Sequence, residues 1–378
     1  MVKNIVHQLS LSEIGGVQRS FSLYLSYALK KSDFKHFVYS RYKISDNYEN
    51  VKEYRNNIEN TLFNKIKFLY YINSNNYLIH FYNNLGSNTV NKLLSLIPSS
   101  NIIFHERGSA WNANYKAKKI FMNNSLKAKI IIANSNASKL MLNKKFGIEE
   151  KKIKVIYNGF FSTNDKFLGL DHDRYSKKFS VGYLGRLDTP KGVHVFVKAA
   201  KKLPNFDFFI AGSGAWENIL KDLAKGNKNI YFLGSLREPM KFLSKMDIII
   251  VPSIREPLGN TIIEAGYCKK PVIAANIDGI SEIIQDNVNG ILIDPDNDLS
   301  FEKIPKDAVP IPELVINPKT QELQKPKEID HNKLCEFIIK LEASPLLRKE
   351  YGEKLYESVK NKFNIEAYFE NLEKIYKK

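Results

Sequence analysis

The chain is organised around the stretch SIREPLGNTIIEAGYCKKP at residues 253–271. It follows an apolar run at residues 247–252 that is typical of a buried parallel strand, and its own later apolar pattern is typical of a helix. Glu256 should therefore lie in the loop that leaves the carboxyl end of the strand, and Glu264 should lie on the helix that follows. Ligands bind at this edge of the sheet in open α/β folds.

The two glutamates have a spacing that suits a nucleotide sugar. Eight residues of mostly helical rise span roughly 12 Å, about the distance from the ribose across a diphosphate to the sugar. Because a carboxylate accepts two hydroxyl hydrogen bonds, one glutamate can hold a ribose diol and the other can hold sugar hydroxyls. The first backbone N–H groups of the helix, at Gly259, Asn260 and Thr261, can hold phosphate between them. Two solvated carboxylates at a helix end are the alternative.

A second group of charged residues follows the predicted strand at residues 179–185. Arg186 and Lys191 lie in the loop after that strand, ahead of a helical pattern. A guanidinium fork and an ammonium point charge can stabilise a diphosphate whose charge rises as a sugar leaves. Gly212 lies in a glycine turn after the next strand, where it can admit a nucleotide or simply make the bend. Two solvated loop charges are the alternative interpretation of Arg186 and Lys191.

The N-terminal half of the chain offers two further candidates. A first strand is followed by Gly15 and Gly16 and then by a helix, so the backbone there can approach a phosphate without Cβ atoms in the way. His105 follows another apolar run, so its side chain is expected to face the same crevice as Glu256. The alternatives are two glycines that only make a turn, and a histidine that is hydrogen-bonded for structure.

These motifs resemble those of the retaining glycosyltransferases of family 4. The resemblance is carried by Glu256 and Glu264, by Gly-Arg at 185–186 with Lys-Gly at 191–192, and by Gly-Gly at 15–16. The family has the GT-B fold, an α/β fold of two Rossmann-like domains with parallel sheets facing each other across a cleft. The resemblance implies retaining transfer of a hexosyl group from a UDP- or GDP-linked sugar to a saccharide or lipid-linked saccharide acceptor. It suggests bacterial surface polysaccharide or lipopolysaccharide assembly.

The resemblance also implies a role for each candidate residue. Glu264 would hold the ribose, while Glu256 and His105 would orient the sugar near the reacting centre. The basic side chains and the helix dipole would neutralise the leaving diphosphate, so neither a metal ion nor a cofactor is expected. The residues expected to bind the diphosphate or the nucleotide are Gly15, Gly16, Arg186, Lys191, Gly212, Gly259, Asn260 and Thr261.

Strand patterns alternate with helix patterns along most of the chain, which predicts parallel sheets in two domains. The first, acceptor-side domain is predicted at residues 1–160 and a polar linker at residues 161–178. The nucleotide-sugar-binding domain is predicted at residues 179–363, with a proline-interrupted insertion at about 295–330 that we expect to form a hairpin. On the resemblance alone, the last helix at residues 364–378 is expected to cross back to the first domain.

Two shorter segments also carry expectations. Residues 42–60 are polar and show no clean period, which predicts an irregular loop. Residues 278–284 have an apolar pattern that predicts a helix between two strands of the second domain.

Length and composition limit the class of protein. With 378 residues and a hydrophobic content of 43%, the chain is long enough for two globular domains. No apolar run approaches the roughly 20 residues of a membrane span, and the N-terminus lacks the apolar core of a signal peptide, so we expect a cytoplasmic protein. Cys268 and Cys335 have neither disulfide nor metal-ligand spacing.

The formal net charge of +17 comes mainly from lysine. A basic face attracts anionic lipid headgroups at about 1 kcal/mol per basic residue near the surface, which would place the protein at the inner face of the cytoplasmic membrane. AT-rich coding would give the same lysines without selection. Nucleic acid is not expected as a partner, because the lysines are dispersed and no nucleic-acid-binding motif accompanies them.

Three alternative functions differ in what they require of the chain. A nucleotide-sugar epimerase on a similar scaffold would consume donor without an acceptor. A catalytically silent nucleotide-binding subunit would only organise a partner enzyme, and the presence of all four charged candidates argues against such decay. A nicotinamide-dependent dehydrogenase is disfavoured because the first strand is not followed by the spaced three-glycine fingerprint that binds a dinucleotide.

Overall fold

The computed structural model divides the chain into two compact units. The N-terminal unit is Met1–Phe161 with Phe363–Lys378, and the C-terminal unit is Ser162–Lys362. The residues that the structure describes are 3–12, 15–40, 42–52, 57–58, 62–95, 101–160, 175–301 and 303–378. Most of the predicted linker, residues 161–174, lies outside these ranges.

The N-terminal unit is built on a seven-stranded sheet in the order β3-β2-β1-β4-β5-β6-β7, with all neighbours parallel. All five residues of β5 are buried, as expected for a strand in a parallel sheet covered on both faces. The strands are β1 (Asn4–Gln8), β2 (Lys35–Tyr39), β3 (Asn57–Ile58), β4 (Tyr77–Tyr82), β5 (Ile102–Glu106), β6 (Ile130–Ala133) and β7 (Ile153–Val155). The helices of residues 1–161 are α1 (Gly16–Lys31), α2 (Glu49–Lys52), α3 (Leu62–Asn73), α4 (Asn88–Ser95), α5 (Ser109–Asn112), α6 (Lys118–Lys127) and α7 (Asn136–Phe146).

The C-terminal unit is built on a six-stranded parallel sheet in the order β10-β9-β8-β11-β12-β13. The chain order reverses between β8 and β11, so the carboxyl ends of these two strands flank the switch point at which open α/β sheets bind ligands. The strands are β8 (Ser180–Leu184), β9 (Asp207–Ala211), β10 (Ile230–Gly234), β11 (Ile248–Val251), β12 (Val272–Ala275) and β13 (Ile291–Ile293). The helices are α8 (Val193–Lys202), α9 (Glu217–Leu223), α10 (Pro239–Ser244), α11 (Asn260–Tyr267), α12 (His331–Ala343) and α13 (Pro345–Lys362).

The proline-interrupted insertion contains the expected hairpin. β14 (Val315–Ile316) pairs antiparallel with β15 (Leu323–Gln324). An isolated antiparallel bridge between Asn297 and Glu328 closes the base of the insertion. Backbone pairing therefore fixes both the tip and the base of this segment.

The last helix, α14 (Ile365–Tyr376), belongs to the N-terminal unit, where it packs against α1. Its buried face carries both aliphatic and aromatic side chains, and the Tyr376 hydroxyl lies 2.8 Å from His80 Nδ1 in the sheet. The side chains that α14 adds to the hydrophobic core of this unit are Ile365, Tyr368, Leu372, Ile375 and Tyr376.

Two local predictions are wrong. Residues 42–60, expected to be irregular, contain a 3-10 turn at Asp46–Tyr48, the short helix α2 and the two-residue strand β3. Residues 278–284, expected to be helical, form only a 3-10 turn at Ile280–Glu282. The fold class itself, two Rossmann-like domains with parallel sheets, is confirmed. In the described part of the chain, no helix is long and apolar enough to cross a membrane.

Candidate active site

Two loops of the C-terminal unit bring the charged candidates together. Arg186 and Lys191 follow β8, and Glu256 follows β11. β8 and β11 are neighbouring parallel strands, paired at Val181 with Ile248, and the chain order reverses between them. Both loops therefore leave the same edge of the sheet at its switch point.

Backbone contacts lock the two loops together. The Pro190 carbonyl accepts hydrogen bonds from the N–H groups of Ile254 at 2.9 Å and Arg255 at 3.2 Å. Gly192 has a φ of 63°, and a Cβ atom on it would lie 2.0 Å from the Pro252 carbonyl oxygen. Only glycine combines this backbone conformation with so close an approach, so Gly192 is what lets the loops close on each other.

Lys191 and Glu256 form an ion pair. Lys191 Nζ donates to Glu256 Oε2 at 2.5 Å, and the two side chains are only 22% and 12% exposed. The Ser253 hydroxyl also donates to Glu256 Oε2, at 3.3 Å. Because little water screens the two charges, their attraction is stronger than on an open surface. The residue predicted to bind diphosphate and the residue predicted to orient the sugar are thus one pair.

Arg186 is mostly exposed to solvent. Its Nη1 lies 3.9 Å from Asp188 Oδ2, and its side chain is 56% exposed. Asp188 accepts hydrogen bonds from the N–H groups of Thr189 at 2.9 Å and Val309 at 2.8 Å. A charge contact this long and this exposed contributes little to stability. The guanidinium can therefore turn to an anionic ligand at small energetic cost.

The N-terminus of α11 lies beside Glu256. Gly259 precedes the helix with a φ of 110°, and a Cβ atom on it would come 3.6 Å from Glu256 Cγ. The first turn of α11 carries no acidic residue, so the positive end of the helix dipole is not neutralised from within the helix. The Thr261 hydroxyl donates to the Leu184 carbonyl at 3.2 Å, which ties the start of α11 to the end of β8.

Glu264 lies inside α11 and not at its exposed end. The helix begins at Asn260, so Glu264 is in its second turn, and it is 8% exposed. Because Glu264 is buried, it is not the solvated helix-end carboxylate of the alternative interpretation. The ribose role of Glu264 and the phosphate role of Asn260 stay predictions.

Gly212 has a structural reason to be glycine. Its φ is 141°, and a Cβ atom on it would lie 1.8 Å from the Gly185 carbonyl oxygen. The turns after β8 and β9 therefore touch through their backbones, and this contact alone requires glycine. The predicted part of Gly212 in admitting a nucleotide stays a prediction.

Gly15 and Gly16 lie at the start of α1 in the N-terminal unit, as expected. Gly15 precedes the helix in an extended conformation, with a φ of −153°, and its N–H donates to the Tyr48 hydroxyl at 3.4 Å. Among the described residues, the atoms nearest to a Cβ atom on Gly15 belong to the flexible side chain of Gln18, at 2.5 Å. Neither strain nor a rigid neighbour in the described part of the chain requires glycine at position 15, and the predicted diphosphate contact of this pair stays a prediction.

His105 lies near the carboxyl end of β5, as expected, but its side chain is buried. β5 extends through Glu106, so His105 is a strand residue, and it is 1% exposed. Its ring stacks against those of His80 and Tyr82, with centroids 5.4 Å apart in each case. Burial, aided by the positive charge of Arg107, lowers the pKa of His105 well below its usual value. The predicted contact of His105 with a donor sugar stays a prediction.

Glu106 and Arg107, the neighbours of His105, have separate partners. Glu106 accepts hydrogen bonds from the N–H groups of Gly108 at 2.7 Å and Ala110 at 2.9 Å, so it caps the start of α5. Burial raises the pKa of Glu106 despite these hydrogen bonds. Arg107 donates from Nη2 to Asn158 Oδ1 at 2.7 Å and is 7% exposed. Both side chains therefore hold this part of the unit together.

Asp278 is a residue of this region that the sequence interpretation missed. It follows β12, is 2% exposed, and accepts a hydrogen bond from the Glu256 N–H at 2.9 Å. Its backbone is left-handed, with a φ of 46°. The sequence signal was Asp-Gly at 278–279, which is typical of a turn, but the apolar residues that follow were interpreted as a helix.

A separate cavity of about 370 Å³ lies next to the carboxyl ends of β12 and β13. Its charges are in part paired internally, since Lys319 pairs with Asp294 and Asn276 Nδ2 donates to Asp294 Oδ1 at 2.8 Å. The predicted site residues are not among the described residues that line it: Asn276, Asp294, Pro295, Asp296, Asn317, Lys319, Gln324, Lys325 and Lys327.

Metal ligands are not clustered in the part of the chain that the structure describes, where no group of three or more His, Cys, Asp or Glu residues could hold an ion. Asp-x-Asp triplets, a pattern that can hold a divalent metal against a diphosphate, occur at 171–173, 294–296 and 296–298. The first lies outside the described residues, and the others follow β13 and not β8 or β11. Metal independence stays a prediction.

Comparison with known proteins finds similarity to glycosyltransferases. Residues 170–306 match the family described as glycosyl transferases group 1. An uncharacterized glycosyltransferase of Methanocaldococcus jannaschii is 32% identical over 173 residues, which are 40% of this chain and 43% of that protein. The capsular polysaccharide biosynthesis glycosyltransferase CapM of Staphylococcus aureus is 26% identical over 277 residues, which are 68% of this chain and 60% of that protein. The chain thus spans about half the length of these curated relatives.

Comparison with solved structures shows the fold. Anabaena Alr3699/HepE, in complex with UDP and glucose, superposes with a TM-score of 0.73 at 18% identity, over 99% of each chain. The chain therefore has the GT-B fold, with its two Rossmann-like domains. Assignment to family 4 and a retaining mechanism stay predictions.

Proposed function

We propose that this protein is a glycosyltransferase of the hexosyltransferase type. The donor is a UDP- or GDP-linked sugar, and the acceptor is a saccharide or a lipid-linked saccharide. The setting is the assembly of bacterial surface polysaccharide or lipopolysaccharide, at the inner face of the cytoplasmic membrane. Similarity to glycosyl transferases group 1 and to a capsular polysaccharide biosynthesis glycosyltransferase supports the activity and the setting. Likeness in fold to a protein solved with UDP and glucose supports the donor class.

The Lys191–Glu256 pair is the observation that carries this proposal. It sets an ammonium and a carboxylate 2.5 Å apart at the switch point of the sheet, beside the N-terminus of α11. A nucleotide sugar joins an anionic diphosphate directly to a hydroxyl-rich ring. Recognition of that junction needs a cation next to a hydroxyl acceptor, and the pair supplies both.

The positive groups of the site act on the leaving diphosphate. When the bond between the anomeric carbon and the phosphate oxygen breaks, the bonding electrons stay on the diphosphate, so its negative charge increases. Lys191 has three N–H donors, of which Glu256 takes one, so it can still donate to phosphate. Arg186 adds a fork of donors, and the amides of Gly259, Asn260 and Thr261 add the helix dipole.

The carboxylates hold the two ends of the donor. Glu256 orients the sugar through its hydroxyls, and Glu264 accepts from the ribose. The acceptor oxygen forms the new bond on the face that the diphosphate leaves, and its proton passes to a phosphate oxygen of the leaving group, so the anomeric configuration is retained. This stereochemistry rests on the motif resemblance to family 4.

Transfer is tested by incubating the protein with UDP-glucose, UDP-galactose, UDP-N-acetylglucosamine and GDP-mannose, each with and without a panel of oligosaccharide acceptors. We expect one donor to release nucleoside diphosphate in an acceptor-dependent reaction. NMR of the product should show the donor's anomeric configuration, and EDTA should not slow turnover. An isomerised donor in the absence of acceptor would indicate an epimerase instead. Binding without turnover of any donor would indicate a silent subunit.

A further inference from the structure

The insertion at residues 295–330 reaches both loops of the Lys191–Glu256 pair through two buried aspartates. On one side, Asp278 accepts the Glu256 N–H at 2.9 Å through Oδ2 and the Ile316 N–H of the hairpin at 2.7 Å through Oδ1. Each carboxylate oxygen of Asp278 thus serves a different segment, so its side chain bridges the hairpin and the Glu256 loop.

Asp188 makes the same kind of bridge on the other side. Its Oδ1 accepts the N–H of Thr189, in the turn that carries Lys191, at 2.9 Å, and the N–H of Val309, in the insertion, at 2.8 Å. Asp188 is 9% exposed. Each member of the ion pair therefore sits on a loop that one aspartate joins to the same insertion.

The backbone around Asp278 strengthens its bridge. The Asp278 N–H donates to the Ile316 carbonyl at 3.0 Å, and the Gly279 N–H donates to the Glu256 carbonyl at 3.1 Å. A Cβ atom on Gly279 would lie 2.2 Å from the Pro257 carbonyl oxygen, so the two loops are in direct contact. Asp278 is thereby held between the hairpin and the Glu256 loop by both its side chain and its backbone.

The presence of aspartate at position 278 also indicates that its carboxylate has a role. Its φ of 46° is left-handed, a conformation that glycine adopts without steric cost and that aspartate adopts at a cost. Packing alone would be served better by glycine. An aspartate at this position is therefore explained by what its two oxygens bind.

We propose that Asp278 and Asp188 are positioning residues that set Glu256 and Lys191 against the donor, with the insertion as their common support. This inference rests on the proposed function, because it assigns the aspartates to the same donor site. The insertion would then fix the geometry of the Lys191–Glu256 pair, although it belongs to neither of the two loops that carry the pair.

The test compares Asp278→Gly and Asp278→Asn with the wild type. Asp278→Gly suits the left-handed backbone but removes both acceptors, while Asp278→Asn keeps one acceptor oxygen. Asn287→Gly is a matched control, because Asn287 also has a left-handed backbone, with a φ of 56°, but is exposed and binds its neighbours in another turn. The measurements are the dissociation constants of the nucleoside diphosphate and of the corresponding nucleotide sugar, together with kcat and KM.

A displaced catalytic carboxylate costs roughly tenfold to a hundredfold in rate. We expect Asp278→Gly to lose that factor in kcat and to weaken binding of the nucleotide sugar, while affinity for the nucleoside diphosphate stays within about twofold of the wild type. Asp278→Asn should fall between Asp278→Gly and the wild type, and Asn287→Gly should match the wild type. Unchanged affinity for the nucleoside diphosphate would show that the variant is folded.

Two results would overturn the inference. One is wild-type kcat in Asp278→Gly, and the other is an equal loss of affinity for nucleoside diphosphate and nucleotide sugar, which a general loss of structure would give. Should Asp278→Gly fail to fold, the same comparison applies to Asp278→Asn and to Asp188→Ala, which removes the oxygen that accepts from both Thr189 and Val309. A wild-type protein that binds no nucleotide sugar would instead refute the proposed function, so the two failures are distinguishable.

Discussion

Lys191 and Glu256 are the two residues on which the proposed function depends most. Both were predicted from sequence, but as separate contacts to diphosphate and to sugar. The structure joins them at 2.5 Å, largely shielded from solvent. Removing the charge of either residue therefore changes the position of the other. A single substitution should weaken the contacts both to the sugar and to the diphosphate, on either side of the bond that breaks.

Glu256→Gln removes the charge of one partner and keeps its shape. We expect kcat to fall by at least about a hundredfold, as when a preorganised charge is removed from an active site, with a smaller loss of affinity for the nucleoside diphosphate. Steady-state kinetics and calorimetry with the preferred donor measure both effects. The matched control is Glu353→Gln, because Glu353 pairs at 2.9 Å with Lys269 on an exposed surface of the same unit. Equal kcat in both variants would contradict the assignment.

The charged site residues could be predicted because each combines a side chain that can bind a nucleotide sugar with a position just after a predicted strand. A strand pattern followed by a polar loop identifies the binding edge of a parallel sheet, and that reasoning found Arg186, Lys191 and Glu256. It placed His105 at the end of a strand but did not predict that its side chain is buried there. It also missed Asp278, whose importance depends on two distant N–H groups that no local pattern reveals.

At the scale of elements, glycine contacts hold the loops of the site in place. Gly192→Ala should destabilise the protein by about 2 to 4 kcal/mol, because it adds a left-handed strain and a Cβ clash with the Pro252 carbonyl. Gly226→Ala is the matched control, since Gly226 is also left-handed, with a φ of 84°, but a Cβ atom there would have none of the described residues within 4 Å.

Urea unfolding at equilibrium measures the difference between the two glycine variants. We expect Gly226→Ala to cost only about 1 to 2 kcal/mol and to keep full activity, while Gly192→Ala loses activity as well as stability. If both variants lost the same stability and kept the same activity, the proposed closure of the two loops through Gly192 would be contradicted.

Neighbouring strands of the N-terminal unit carry a cluster of buried histidines. Burial lowers the pKa of each below the usual value, to about 4 for His36. The folded state therefore binds fewer protons than the unfolded state below about pH 6.5, and stability falls as the pH falls from there toward 4. The histidines are His7, His36, His80 and His105.

The expected slope is about 1.4 kcal/mol per pH unit for each histidine that stays neutral in the folded state. Free energies of unfolding at pH 7.5, 6.5, 5.5 and 4.5 measure it. The variant His36→Phe should show a shallower dependence than the wild type, whatever its stability at pH 7.5. A flat profile between pH 6.5 and 4.5 in the wild type would contradict the burial of neutral histidines.

Secondary structure was predictable where tertiary contacts do not override the local pattern. Apolar runs located the strands of both sheets except the two-residue strand β3, and the hairpin expected in the proline-interrupted insertion is present. The helix expected at residues 278–284 is reduced to one 3-10 turn, because Asp278 and Gly279 are drawn against the Glu256 loop and the hairpin. Strand order could not be read from the sequence, since it depends on which strands pair across the sheet.

At the scale of the whole molecule, the net charge of +17 supports the proposed contact with anionic membrane. Sedimentation with vesicles of phosphatidylcholine alone, and of phosphatidylcholine with phosphatidylglycerol, measures it at two salt concentrations. We expect binding only to the anionic vesicles, and loss of binding at high salt, because the attraction is screened within a Debye length. Equal sedimentation with both kinds of vesicle, or none with either, would contradict charge-dependent membrane binding and would favour coding bias as the reason for the many lysines.

The C-terminal unit is proposed to bind a nucleotide sugar through the residues around its switch point. The most direct test is calorimetric titration of UDP, GDP, ADP and NAD into the wild type, Glu264→Ala and the control Glu217→Ala, without added metal and in the presence of EDTA. Glu217 is a suitable control because its carboxylate pairs with Lys221 on the outside of α9. We predict that UDP or GDP binds the wild type and Glu217→Ala equally, and that Glu264→Ala loses at least about tenfold in affinity, the worth of hydrogen bonds to a charged group. Absence of binding by every nucleotide, or equal binding by Glu264→Ala, would contradict the account.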